Sequence, residues 1–454
     1  MTAPKPTIET DLPWLGAVPS HWIPMRLRDT VEGCVNGIWG NELAGDDTDV
    51  PVIRVADFDR MGRRTKAYQT VRSVPNEQRQ SRALHKGDLL IEKSGGGELQ
   101  PVGMVVQYTG DPGAVCSNFV ARMRPREEAD ARYLTYLHAH LYEQGVTTLS
   151  IKQSTGIQNL DSTAYLGERC FLPPLREQTA IAAFLDSETA RIDALIAEKG
   201  RLLRLIDELA SASVNEAVTE GLQLTCDRRA DQRTGLPRVP SHWASMGLIK
   251  AIDDIVDYRG RTPTKTDDGV FLVTARNIAD GWIDYEASQE FISIDSYGEA
   301  MSRGAPELGD VLFTTEAPLG KVALVDRTDI ALAQRVIKFR ARADLMRNEF
   351  LMYWFMSEYM QQQLRTWSSG STAEGIKASR LRRLPILVPP LPEQESICAY
   401  VGSQMANARE LKAQVSAGID ALNELRATTI TDAVLGRIDV RDKPTKKLLA
   451  EAAA

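Results

Sequence analysis

The sequence carries little of what chemistry usually requires. Five histidines and five cysteines are spread over 454 residues. Cys34, Cys116, Cys170, Cys226 and Cys398 are odd in number and no two stand at metal-ligand spacing, which argues against a disulfide framework and against a zinc site. His138 and His140 are two apart on an expected helix, so they point to different faces and cannot share a metal. No apolar run approaches the roughly 18 residues of a spanning helix. MTAPKPTIET has neither the basic start nor the apolar centre of a secretory signal. The cytoplasm is therefore the expected location, with no membrane partner. A P-loop is missing, since Gly320-Lys321 lacks the upstream glycine and the following hydroxyl. Both Pro-Pro pairs run into leucine, so no Asn/Asp-Pro-Pro-aromatic loop holds a base for amino-methylation, and a Gly-rich cofactor loop is absent too. Asp88, with Glu92 directly before Lys93, departs from a metal-nuclease strand, which keeps one residue between acid and lysine. Positive charge is not in excess either. The net charge is −7, so nucleic acid is not advertised by composition, and any such contact needs local basic surface.

What is present is repetition. Val18-Pro19-Ser20-His21-Trp22 returns as Val239-Pro240-Ser241-His242-Trp243, an offset of 221. Gly87-Asp88-Leu89-Leu90 returns as Gly309-Asp310-Val311-Leu312, an offset of 222. Pro173-Pro174-Leu175-Arg176-Glu177-Gln178 returns as Pro389-Pro390-Leu391-Pro392-Glu393-Gln394, an offset of 216. Three landmarks in one order at nearly one spacing mean a tandem duplication. In each copy short strand signals come first, Val50 to Val55 matching Val270 to Ala275. Strands Gly87 to Ile91 and Val102 to Val106 match Gly309 to Phe313 and Lys321 to Val325. Helical patterns follow at Asp130 to Tyr142 and Asn348 to Leu364. Each copy thus reads as an α+β domain. Trp22 and Trp243 are expected to anchor its first strand in the core. Ser20, His21, Ser241 and His242 are expected to serve local structure.

After each Pro-Pro-Leu the pattern turns helical for about forty residues. Ile181, Leu185, Ile192, Leu195, Leu202, Ile206 and Leu209 give one apolar seam, and Ile397, Val401, Leu411, Val415, Leu422 and Leu425 another. Lys199 and Gly418 interrupt them. Prolines hold the approach extended, and Glu177 or Glu393 suits the positive end of the helix dipole. Forty residues reach about 60 Å. Two such helices are unstable singly and are expected to pair antiparallel, with the α+β domains at opposite ends of a rod. The expected fold class is α+β, two pseudo-repeated α+β domains separated by a pair of long antiparallel coiled-coil helices. The expected divisions are 1–172, the first α+β domain; 173–235, a long helix and linker; 236–388, the second α+β domain; and 389–454, the second long helix and tail.

The doubled PSHW, Gly-Asp and PPLxEQ-plus-helix segments resemble, over nearly the whole chain, the specificity (S, HsdS) subunits of type I restriction–modification systems. The resemblance implies that the α+β units are target recognition domains, each reading one half of a split site in double-stranded DNA. It implies that the helices space them and dock two modification subunits, and that restriction subunits join the assembly. It places no cofactor on this chain; S-adenosylmethionine, ATP and Mg belong to the partners. The chain is then not catalytic alone. The alternative from another class is a coiled-coil scaffold whose domains bind protein without reading DNA.

Base reading needs polar side chains on exposed loops, and phosphate holding needs Lys, Arg and amides. In the first domain the candidates are Asn36, Trp39 and Asn41; Arg54 and Asp57; Arg63 and Arg64; Lys93 and Ser94; Ser117 and Asn118; and Lys152, Gln153 and Ser154. In the second they are Arg259 and Arg261; Arg276 and Asn277; Thr315; Gln334 and Arg335; and Lys377 and Arg380. Arg60 and Lys66 complete a basic cluster with Arg63 and Arg64. Corresponding places carry different side chains, as two readers of unlike half-sites require.

Overall fold

A computed structural model describes residues 6–440 other than 69, 98–99, 155, 224, 261–262, 369–374 and 377. The chain forms two compact units. The first holds the described residues up to Glu198 and again from Gly418; the second is Lys199–Ala417.

In the first unit, Val31–Asn36, Val120–Pro125, Leu89–Glu92 and Val105–Gln107 lie side by side, all antiparallel. Their alternation buries both faces of this sheet. Leu89, Ile91, Ala121 and Met123 meet Tyr133, Leu134, Leu137 and Leu141 of the helix Ala131–Glu143. Leu90, Val106 and Val120 meet Ile53, Phe58 and Cys116 on the other side. A second sheet sets Asp49–Ile53 parallel to Val115–Cys116.

The second unit repeats the plan. Ile252–Asp257, Val336–Ala341, Val311–Thr314 and Val322–Leu324 form the sheet. Val311, Phe313, Ile337 and Phe339 face the helix Asn348–Met356, while Leu312, Ala323 and Val336 face Leu272, Val273 and Ile330. Val270–Val273 runs parallel to Ile330–Leu332. The sequence pattern gives one helix from Asn348 to Leu364, but two are found, Asn348–Met356 and Glu358–Trp367. Ser357, extended between them, accepts the N–H of Met360 at 3.2 Å and starts the second helix anew.

The Gly-Asp motifs are structural. Buried Asp88 takes Nε and Nη2 of Arg124 at 2.8 and 2.9 Å. Asp310 does the same for Arg340 at 2.7 and 2.9 Å. Burial pushes the Asp310 carboxyl up, but its hydrogen bonds and the nearby Lys338 and Arg340 charges hold it below the ordinary value. Glu92, the other acid of the nuclease-like stretch, is buried against Arg60 at 3.1 Å.

The other two motifs meet one another. His21 and His242 reach Glu177 and Glu393 at 2.7 and 2.8 Å. Gln178 is buried, donates to the Glu128 and Pro173 carbonyls and accepts the N–H of Asp130. Gln394 makes the corresponding bonds to Leu345, Pro389 and Arg347. Trp22 and Trp243 are buried beside a glycine that follows the end of a long helix. A Cβ on Gly436 would lie 2.7 Å from Trp22, and one on Gly221 3.0 Å from Trp243. Both glycines have positive φ, which ends a helix without strain.

The long helices are Leu175–Glu220 and Leu391–Val434. In the first unit Ile181 and Leu185 pack in one core with Ile430, Ala433 and Val434, and Arg426 pairs with Asp193 at 2.9 Å. In the second unit Val214 and Val218 share a core with Ile397 and Val401, and Lys412 pairs with Asp207 at 2.6 Å. The beginning of each helix therefore lies with the end of the other, which is antiparallel pairing. The seam differs from the sequence reading. Ile181, Leu185, Ile192, Ile206, Ile397, Val401 and Val415 are buried, but Leu195, Leu202, Leu209, Leu411 and Leu425 are exposed. Ala182, Val214, Ala217, Val218, Ile430 and Ala433 fill the buried side instead.

Candidate nucleic-acid interface

In each unit four strand ends converge on one edge, and most of the candidate loops follow them. In the first, Asn36 ends its strand opposite Ala121, and Ile38 N–H donates to the Cys116 carbonyl at 2.7 Å. Ser117 N–H donates to the Ile53 carbonyl at 2.9 Å, and Lys93 N–H to that of Phe119 at 2.7 Å. Asn36, Arg54, Lys93 and Asn118 therefore share this edge. Lys93 Nζ donates to Asn36 Oδ1 at 2.6 Å. Ser94 pairs in register with Asn159 and donates to its Oδ1 at 2.6 Å, which brings the hairpin Ile151–Leu160 alongside. That hairpin carries Lys152, which holds Asp161 at 2.8 Å, and exposed Gln153. Ser154 lies in it too, its side chain outside the described residues. Trp39 is exposed with Arg72 5.1 Å over its ring, and Asn41 bridges to Ser73.

In the second unit the edge gathers residues 257–259, 274–277, 314–316 and 333–335. Tyr258 N–H donates to the Val336 carbonyl at 3.4 Å, Thr315 N–H to that of Arg335 at 3.0 Å, and Ala333 N–H to that of Val273 at 2.9 Å. Arg259 donates to Asp257 and to the Ile376 carbonyl. Arg335 lies 3.1 Å from Glu316. Exposed Arg276 is held through Nη2 by Glu290, which also takes Lys265 at 2.7 Å. Arg276, Gln334 and Arg335 line one hollow of about 380 Å³ with Thr274, Ala317 and Ala333. Burial pushes the Glu290 and Asp257 carboxyls up, yet their basic partners hold both below the ordinary range. Exposed Arg380 donates to the Trp367 carbonyl at 2.9 Å. Arg261 and Lys377 lie outside the described residues.

Several candidates have other tasks. Asn277 is 0% exposed and spends both ends internally, on Thr274 and on the Asp284 and Ser288 carbonyls. Thr315 and Ser117 are buried at the edge, and Asp57 turns back on Arg54. Contrary to the sequence expectation, these four side chains face inward, away from any DNA on this edge. Arg63 is buried, 3.3 Å from Glu143, and burial lowers its pKa. Arg64 pairs with Gln107, at the opposite end of the sheet from Glu92. Arg63 and Arg64 are therefore off the edge, whereas Arg60 reaches Glu92 beside it. The sequence reading missed Asn159 and exposed Phe119. A polar residue alternating with buried Gln158 and Leu160 on a hairpin was the available signal for Asn159.

A profile of the type I restriction modification DNA specificity domain matches residues 19–202 and 249–419, more than half of the chain. The chain belongs to the type I restriction–modification DNA specificity family. This specificity chain is 23% identical over 345 residues to the type I restriction enzyme MjaVIII specificity subunit of Methanocaldococcus jannaschii, covering 72% of this chain and 74% of that one. It is 21% identical over 458 residues to the EcoBI specificity subunit of Escherichia coli, covering 96% and 90%. In fold it resembles a chain solved in work on assembly and conformational transition of the type I R-M system, with a TM-score of 0.70, 18% identity and coverage of 93% and 99%. The HsdS subunit from Thermoanaerobacter tengcongensis gives a TM-score of 0.50 at 18% identity, covering 93% and 98%. Among the described residues no group of three His, Cys, Asp or Glu is placed to hold a metal, and no helix is long and apolar enough to cross a membrane.

Proposed function

We propose that this specificity chain reads a bipartite, asymmetric site in double-stranded DNA, one half-site per α+β domain, and is not catalytic alone. The long helices set the separation of the half-sites and dock two modification subunits. Those subunits supply S-adenosylmethionine and methyl transfer, and restriction subunits join with ATP and Mg. The observation that carries this reading is the convergence of unlike polar loops on the same edge of a repeated scaffold. Asn36, Arg54, Lys93 and Asn118 stand where Asp257, Thr274, Thr315 and Gln334 stand in the other copy. A duplicated frame with diverged edges suits an asymmetric split site, as symmetric dimers suit palindromes.

The test is domain exchange. The α+β domain of one half is replaced by that of another specificity chain, and binding to DNA is measured with and without modification subunits. The expected result is a new preference in one half-site with the other retained. Unchanged preference would favour the protein-binding scaffold. Methyl transfer by the purified chain alone would overturn the non-catalytic assignment.

A further inference from the structure

Each domain holds two places on its reading edge where one side chain fixes another. The repeat allows them to be compared. The first follows Asp49–Ile53 and its counterpart Val270–Val273. In both, a residue three positions along turns back. Asp57 Oδ2 accepts the N–H of Arg54 at 2.8 Å, and Asn277 Oδ1 accepts the N–H of Thr274 at 2.9 Å. The second is the end of Val31–Asn36 and of Ile252–Asp257, which stand in register opposite Ala121 and Ile337. There Asn36 holds Lys93, and Asp257 holds Arg259. An arginine thus occupies the first place in one domain and the second place in the other.

A guanidinium has five N–H groups in a rigid fork. Asp57 takes the Nε and Nη2 edge of Arg54, at 3.2 Å each. Asp257 takes the same edge of Arg259, at 2.9 and 2.6 Å, and the Ile376 carbonyl takes one Nη1 hydrogen at 3.2 Å. Arg259 keeps one N–H on Nη1 and one on Nη2, and Arg54 keeps these and a second on Nη1, so each can offer a pair from its two Nη atoms. That pair spans O6 and N7 of a guanine in the major groove. The two side chains are 42% and 35% exposed. Other forked arginines do not qualify. Arg124 and Arg340 serve the buried Gly-Asp motifs. Arg327 precedes Ile330–Leu332 and Arg342 follows Val336–Ala341, at the far edge of their sheets. Arg276 has one N–H engaged, not two.

Resting on the DNA-reading assignment above, we propose that Arg54 and Arg259 are the guanine readers, one in each half-site, and that Asp57 and Asp257 are positioning residues that hold them end-on. A long cation loses rotamer freedom when it docks. A carboxylate that has already fixed it removes that loss and narrows the geometry to one base. Because the arginines stand at different places of the repeated frame, the two half-sites are read differently.

The full chain, assembled with its modification subunits, is offered duplexes carrying two randomised tracts at one fixed salt concentration, and bound duplexes are sequenced. The variants are Arg54→Lys, Asp57→Asn, Arg259→Lys and Asp257→Asn. Both asparagines occur at the corresponding place of the other copy, as Asn277 and Asn36, so the local fold accepts them. The unaltered complex should enrich a guanine in each half-site. Arg54→Lys and Asp57→Asn should weaken the preference at the same single base pair by about fivefold to a hundredfold. The two changes at 257 and 259 should do this in the other half-site only. Binding of the asparagine variants to unselected DNA should not fall, since each removes a negative charge from the edge. Preferences unchanged in all four variants, or loss spread over every position of a half-site, would overturn the proposal while the DNA-reading assignment stands. No enrichment by the unaltered complex would overturn that assignment and this one with it.

Discussion

At the residue scale, His138 shows how burial sets a pH response. Its ring is fully buried, Nδ1 lies 2.6 Å from the Tyr165 hydroxyl, and burial lowers its pKa from 6.5 to about 4. The folded form is therefore neutral where the unfolded form becomes charged. The stability this confers is complete above about pH 6.5 and is lost as pH falls toward 4. From this group alone, the first unit should be about 2 kcal/mol less stable at about pH 5 than at about pH 7. His138→Gln should flatten that slope in urea unfolding followed at both pH values. An equal slope in the variant would assign the effect elsewhere. Single residues were also the least legible level of the sequence. Arg276 and Asn277 are adjacent and both polar, yet one is exposed and the other sealed in the turn it makes. Which of two neighbours faces water depends on turn geometry that composition does not reveal.

At the element scale the Gly-Asp strands and the two long helices were legible, because a period of two or about 3.6 survives in local sequence, while the strands Val31–Asn36 and Val120–Pro125 and the order of the sheet were not. The helix faces were not. Leu195, Leu202 and Leu209, spaced by heptads, read as a seam but are 44%, 44% and 67% exposed. Smaller residues, Ala182, Ala217 and Ala433 among them, take the buried side. A repeating leucine row without cover on a long helix is a surface for other helices. Replacing Leu195, Leu202 and Leu209 together with glutamine should leave helix content and thermal unfolding of the chain nearly unchanged. It should weaken association with the modification subunit at least about tenfold, since three buried leucines would be lost from the contact. Sedimentation of the mixed proteins measures this. Full assembly of the triple variant would move the docking face elsewhere. The joint of His21, Glu177 and Gln178 with Trp22 shows the opposite case. The repeated motifs stood out by recurrence, and their shared purpose emerged only when they were brought together.

At the scale of the whole molecule, the duplication was the most legible feature, and the acidic net charge the least helpful. The basic groups on the reading edges are mostly tied to local carboxylates, as Arg54 is to Asp57, Arg259 to Asp257 and Arg335 to Glu316. Their charge therefore never appears as an excess. On the proposed reading, two such edges give specificity only if their separation is fixed, and the long helices are proposed to fix it. Inserting one heptad into each long helix at facing levels, in the full chain with its modification subunits, tests this directly. Selection from duplexes with randomised half-sites and variable spacers should return both half-sites unaltered and a preferred spacer longer by about 10 Å, or roughly three base pairs. An unchanged spacer, or altered half-sites at any spacer, would contradict the account.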